Sequence, residues 1–165
     1  MHWVCQRCGE EHVGLPLDWA YHKPTYWEGP RAEGDFLGDD MCVWTDDGGE
    51  RAYFIRGVLP IPVHDTGEVF NYGIWSSLSE RSYERVLELW DDEAREAEPP
   101  YFGYLSNHLP GYPDTLSLHL AVVTGALKRR PSFVLLPDAE HPLIDEQWEG
   151  IGQARVQEIA ELNMH

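Results

Sequence analysis

Positive charge is scarce in this chain. Twelve Lys and Arg stand against 29 Asp and Glu, giving a net charge of −17 at pH 7. Nucleic acid is held mainly by cations that displace counterions from phosphate, and anionic lipid surfaces attract basic segments in the same way. The charge balance therefore excludes both as expected partners. It favours solubility through self-repulsion and offers an acidic face to a basic protein partner. Cysteine is also sparse: three residues, an odd number, exclude the paired framework of a secreted disulfide scaffold. No apolar run approaches the ~20 residues of a membrane-crossing helix. The N-terminal residues carry neither a basic region nor an apolar core of a secretion signal. A cytoplasmic location is the expectation from these absences. Two phosphate-binding loops are missing as well, G-x-G-x-x-G and G-x-x-x-x-G-K-[ST], as is the G-x-S-x-G elbow of serine hydrolases.

What is present suits a packed core. The 165 residues are 42% hydrophobic and 12% aromatic, the profile of an ordered single domain spanning residues 1–165. Residues 1–40 read as an irregular N-terminal segment packed on the main sheet, with a short strand before a cysteine turn and a helical turn over 17–22. Strands are expected at Met41–Thr45 and Arg51–Arg56, joined through Asp46-Asp47-Gly48-Gly49, and at Val69–Ser77. Val58–Val63 holds Pro60 and Pro62, which donate no ladder hydrogen bond, so it reads as an edge strand or an extended loop. Ser79 reads as the N-cap of a helix over residues 80–95, where Tyr83, Val86, Leu87 and Trp90 follow helical spacing. Further strands are read at Tyr101–Leu105, Leu116–Val122 and Ser132–Leu136, and helices at Pro142–Trp148 and Gln153–Leu162. Strands in succession with helices between and after them make an α+β fold: a mostly antiparallel sheet flanked by helices, with a short N-terminal cysteine knuckle.

Two groups of residues could carry chemistry. Cys5-x-x-Cys8-Gly9 has the shape of a metal knuckle, since two thiolates at this spacing grip one ion and Gly accepts the tight turn between them. Zinc is the expected ion. His12, four residues past Cys8, and Cys42 are the expected further ligands, with His141 as a rival. A pair of reduced cysteines in a plain turn is the competing reading. The second group is Arg56, Tyr72, Trp75, Tyr101 and Phe102. Gly73 and Gly103 lie among these large rings, so the five are expected around one ligand groove in which Arg56 clamps a carboxylate or phosphate. Core packing is the alternative.

Several stretches together resemble a bacterial family known only as domain of unknown function 2199. They include Cys5-Gln-Arg-Cys8-Gly9 with His12, Asp39-Asp40-Met41-Cys42-Val43, Tyr53-Phe54-Ile55-Arg56-Gly57, Tyr72-Gly73-Ile74-Trp75-Ser76-Ser77-Leu78-Ser79, Pro100-Tyr101-Phe102-Gly103-Tyr104-Leu105 and His141-Pro142-Leu143. The resemblance implies a single domain from a bacterium and no assigned activity.

Two functional classes follow. One is a small acidic cytosolic binding or interaction protein with a structural metal knuckle. The other is a hydrolase-like enzyme using His and carboxylate residues in the aromatic groove. The charge makes one expectation independent of that choice: no shift of labelled DNA or RNA in a gel at physiological salt, which a retarded band at low micromolar protein would overturn.

Overall fold

The structure, a computed structural model, describes residues 2–164. Its elements in chain order are β1 (His2–Val4), β2 (Glu11–Val13), β3 (Asp18–Ala20), β4 (Phe36–Leu37), β5 (Met41–Thr45), β6 (Arg51–Val63), β7 (Glu68–Leu78) and α1 (Glu80–Glu88). A 3-10 helix follows at Glu93–Ala97, then β8 (Tyr101–Tyr104), β9 (His119–Val123), β10 (Ser132–Leu135), α2 (Pro142–Glu149) and α3 (Gln153–Met164). The fold is α+β and mostly antiparallel, as the sequence indicates, with β3–β7 and β10–β6 as parallel pairs.

The spine is the β6–β7 hairpin, antiparallel from Tyr53 opposite Leu78 to Val63 opposite Glu68. Alternation sorts its side chains. Ile55, Leu59, Ile61 and Val63 share a face with Phe70, Tyr72, Ile74 and Leu78 in the main core, while Phe54 and Trp75 lie on the other face with Cys42. From β6 the sheet continues through β10 and β9 to β8. There β8 returns to β7: Ser76 bridges Leu105, and the Ser106 N–H donates to Trp75 O at 2.9 Å. Five strands thus close on themselves around Leu59, Ile74, Leu105, Leu120 and Phe133, each fully buried.

Closure requires close approach at two inward glycines. A Cβ on Gly57 would lie 2.8 Å from Pro131 O and against the Phe133 ring, and one on Gly103 would lie 2.5 Å from Ser77 O. Leu143 and Ile144 of α2, Val156 and Ile159 of α3, and Tyr83 and Val86 of α1 complete the same core.

Several local expectations need correction. Val58–Val63 is neither a separate edge strand nor a loop, because it continues β6 and pairs with β7 to its end. The prolines fit through parity. The N–H groups of Arg56 and Val58 point away from β7, to Asp40 O (2.8 Å) and Pro131 O (2.9 Å). Pro60 and Pro62 have the same parity, so they remove no bond from the hairpin. Beyond Val58, β6 and β10 part, and the Gln147 side chain fills the split. Its amide donates to Phe133 O (2.8 Å) and Pro60 O (3.2 Å) and accepts from the Leu135 N–H (2.7 Å). The helix expected over 80–95 ends at Glu88, and the chain resumes as the 3-10 turn under an Asp92 cap. Residues 18–20 form a strand on β7 rather than a helical turn. The alternation over 116–122 yields a strand only from His119, since Ser117 turns the chain with φ 70°.

Gly57→Ala is expected to lower stability by about 1–3 kcal/mol by overpacking against Phe133. Gln147→Leu should cost about 2–4 kcal/mol by leaving a strand N–H and two carbonyls without partners. Denaturant midpoints measure both, and parental midpoints would refute this account of the closed sheet.

Candidate metal centre

The N-terminal hairpin is held by few apolar groups. Trp3 and Cys5 are its buried residues, packed on Ala160 of α3 with Leu15 and Trp19 alongside. Between β1 and β2 the backbone makes a tight loop, with Gly9 N–H donating to Cys5 O (2.9 Å) and Cys5 N–H to Glu10 O (2.9 Å). Gly9 takes φ 73°, the left-handed region that favours glycine. The Cys8 N–H points at Cys5 Sγ, 3.5 Å away, so the turn already wraps its amides around a sulfur.

The β1–β2 register places Trp3 opposite His12, and the two rings stack at 4.6 Å. This fixes the imidazole beside the cysteine turn. Ligand atoms of Cys5, Cys8 and His12 all lie within 4.8 Å of one another. His12 Nε2 is buried and has no hydrogen-bond partner. A buried nitrogen with an unused lone pair or proton is costly unless something occupies it.

The sulfurs are not equivalent. Burial opposes ionisation of Cys5, but the N–H groups of Cys8 and Arg7 and the Cys8 thiol outweigh it and bring its pKa below the ordinary thiol value. Cys8 is held above that value. A backbone hydrogen bond at Glu10 favours its thiolate, yet burial and the neighbouring Cys5 sulfur oppose it more strongly. The site is anchored from α3, where Glu161 Oε1 accepts the Gln6 N–H (2.9 Å) and the Gln157 amide (2.9 Å), and Gln157 also donates to Val4 O (3.0 Å).

Cys42 stands apart from this cluster. It lies on the outward face of β5, fully buried with Phe54 and Trp75, and burial pushes its thiol up to about 12. For Cys42 to join the cluster β1 would have to lie beside β5, but β5 pairs with β4 and β6. His141 is also engaged elsewhere. It caps α2, with Nδ1 accepting the Leu143 N–H (3.1 Å) and Nε2 facing Asp114 O (3.0 Å) and Pro113 O (3.2 Å).

The five groove residues do not converge. Arg56 and Trp75 are cross-strand partners on the outward face, with the guanidinium 6.0 Å from the ring centroid. Tyr72 points into the core, where its hydroxyl meets that of Tyr112 at 3.2 Å. Tyr101 also packs against the core, whereas Phe102 is 48% exposed. A His–carboxylate pair in aromatic surroundings exists elsewhere: His119 Nδ1 lies 2.7 Å from Asp138, beside Phe102 and Tyr104.

Glu161 was not among the residues singled out from the sequence. No periodicity marked it: Glu161 lies off the helical stripe of Val156, Ile159 and Ala160, and it is buried beside the N-terminal hairpin, whose Gln6 N–H it accepts.

No curated protein and no solved structure matches the chain. A family model described as "uncharacterized protein conserved in bacteria" covers residues 4–151, which includes the cysteine turn, His12 and the closed sheet but stops before α3. With most of its length matched in this way, the chain belongs to that bacterial family, DUF2199.

Proposed function

We propose that this is a cytoplasmic binding protein whose N-terminal hairpin is stapled by a structural zinc ion on Cys5, Cys8 and His12. The observation that carries the reading is the buried, unpartnered His12 Nε2 within a cluster of three ligand groups. Two thiolates and an imidazole are the borderline-soft set that zinc prefers, and they supply three of its four tetrahedral positions. The hairpin has two buried side chains of its own, so a metal supplies order that burial cannot. Cys8 and Cys42 are free thiols, in keeping with a reducing compartment.

Binding is favoured over hydrolysis by the state of the histidines. His141 engages both ring nitrogens, Nδ1 in capping α2 and Nε2 at Asp114 O. The His119–Asp138 pair is 43% and 47% exposed, a setting in which such pairs are solvated and weak. The charge of −17 supports a basic protein as the partner, met by steering across an acidic face.

Protein purified without added metal should carry close to an equivalent of zinc. Cys8→Ser and His12→Ala should lose it, while Cys42→Ala keeps it. Chelation should raise amide exchange first over residues 2–20 and leave β6 and β7 protected. Elemental analysis with hydrogen exchange reads both outcomes. Negligible zinc in the parent, or equal loss in Cys42→Ala, would refute the site.

A further inference from the structure

Five of the chain's twelve cations line a single cavity of about 500 Å³: Arg56, Arg95, Lys128, Arg129 and Arg130. Two carboxylates, Asp40 and Asp91, share the lining, so the wall carries a formal excess of three positive charges in a chain of net −17.

The topology creates this cavity. β5 and β10 occupy the same edge of β6, one before and one after Gly57, so the Arg56 N–H bonds to Asp40 O and the Val58 N–H to Pro131 O. Between them the edge forks. The β9–β10 loop walls the opening on one side, and the segment from Trp90 to Arg95 walls it on the other.

Two of the cations are buried without a direct ion-pair partner. Arg56 is 7% exposed and Arg95 is 6% exposed, and in both the Nε–H is buried without a partner. The remaining nitrogens meet no carboxylate. Arg56 reaches Asp39 O at 3.4 Å and His22 Nδ1 at 3.3 Å, both long, while Arg95 donates to Trp90 O (3.0 Å) and Arg129 O (3.2 Å). Among the described residues no carboxylate lies within 4.0 Å of either guanidinium, although Arg31, Arg51, Arg85, Arg130 and Arg155 all have acidic partners. Acids outnumber cations by 29 to 12, so the missing ion pairs do not reflect a shortage. A buried charge without an ion-pair partner is costly, and two such groups facing one cavity favour an anion supplied from outside.

We propose that the cavity binds a compact, multiply charged oxyanion carried by a small molecule, a phosphate or a polycarboxylate. Arg56 and Arg95 meet it at the buried base, and Lys128, Arg129 and Arg130 meet it at the exposed rim. Guanidinium forks match the geometry of both oxyanions. The volume falls within the range of small-molecule sites, and Trp90, Leu127 and Pro131 provide an apolar wall for the rest of the molecule. Burial, and then the like charge of Arg130, draw the Arg56 pKa below its ordinary value against the opposing pull of Asp40 and Asp39, and a bound anion would relieve that repulsion. The cavity shares no residue with the zinc centre, so the two proposals stand separately.

The test is calorimetric titration of the full chain with pyrophosphate and, in a second arm, citrate, each against sodium chloride of matched ionic strength. Saturable binding of one or both is expected. Arg56→Met should weaken it about tenfold or more, the loss expected for a charge-assisted contact. Lys128→Ala/Arg129→Ala, confined to the exposed rim, should weaken it and flatten its salt dependence. Tighter binding of pyrophosphate identifies a phosphate ligand, and tighter binding of citrate a polycarboxylate. Should Arg56→Met fail to fold by circular dichroism, the rim variant decides. Neither anion binding at millimolar concentration, or parental affinity in the folded variants, overturns the proposal.

Discussion

The antiparallel ladder between β6 and β7 organises the rest of this molecule. It is long enough for β6 to serve different neighbours along its free edge, with β5 near its start and β10 after Gly57. Parity along the ladder separates an inward set, which becomes the closed core, from an outward set in which Trp75 is sealed by the chain after β3. There the Trp75 indole N–H donates to Tyr21 O at 3.0 Å, and Asn107 ties the Lys23 carbonyl to the Trp75 backbone N–H. The same parity admits Pro60 and Pro62, whose missing donors fall on the side where no strand needs them. The core, the fork and the proline-bearing edge therefore share one cause.

The two candidate sites lie at places where this framework leaves something unfinished. The N-terminal hairpin is joined to the body mainly through α3 and brings little apolar area, so its order leans on polar anchors, beside the cluster of Cys5, Cys8 and His12. The fork beside Gly57 cannot be filled by either diverging strand, and long cationic side chains border it instead. Each site carries a buried nitrogen that its own chain leaves without a partner: His12 Nε2 in one, the Nε atoms of Arg56 and Arg95 in the other. Such groups are rare in folded proteins because they forfeit hydration without replacement.

Legibility differed between the two kinds of site. The knuckle could be read because its three ligand groups lie within eight residues, where turn chemistry and a two-stranded register suffice to bring them together. Cys42 could not be assigned, since its place depends on which strand lies beside β5. The groove shows period two applied incompletely: Tyr72 and Trp75 differ by an odd number of positions, as do Tyr101 and Phe102, so each pair divides between the faces of its strand. Arg56 was legible as an unusual residue on an apolar strand. Arg95 was not, because the cavity wall it shares with Arg129 comes from a loop more than thirty positions away.

By itself the sequence determined the local and the summed quantities: a strongly acidic chain, the alternation that marks strands, the Ser79 cap and the close spacing of Cys5, Cys8 and His12. These depend on neighbours a few residues apart or on composition alone, so no folded coordinates are needed to read them. Tertiary structure decided whatever depends on which edges meet. It closed β8 onto β7 at Ser76 and Leu105, set Gln147 into the gap between β6 and β10, and gathered Arg56, Arg95 and the 128–130 loop around one cavity. The physical reason is that strand pairing is non-local: backbone groups far apart in the chain satisfy one another, and only the completed ladder shows which side chains are left facing a space that the chain itself does not fill.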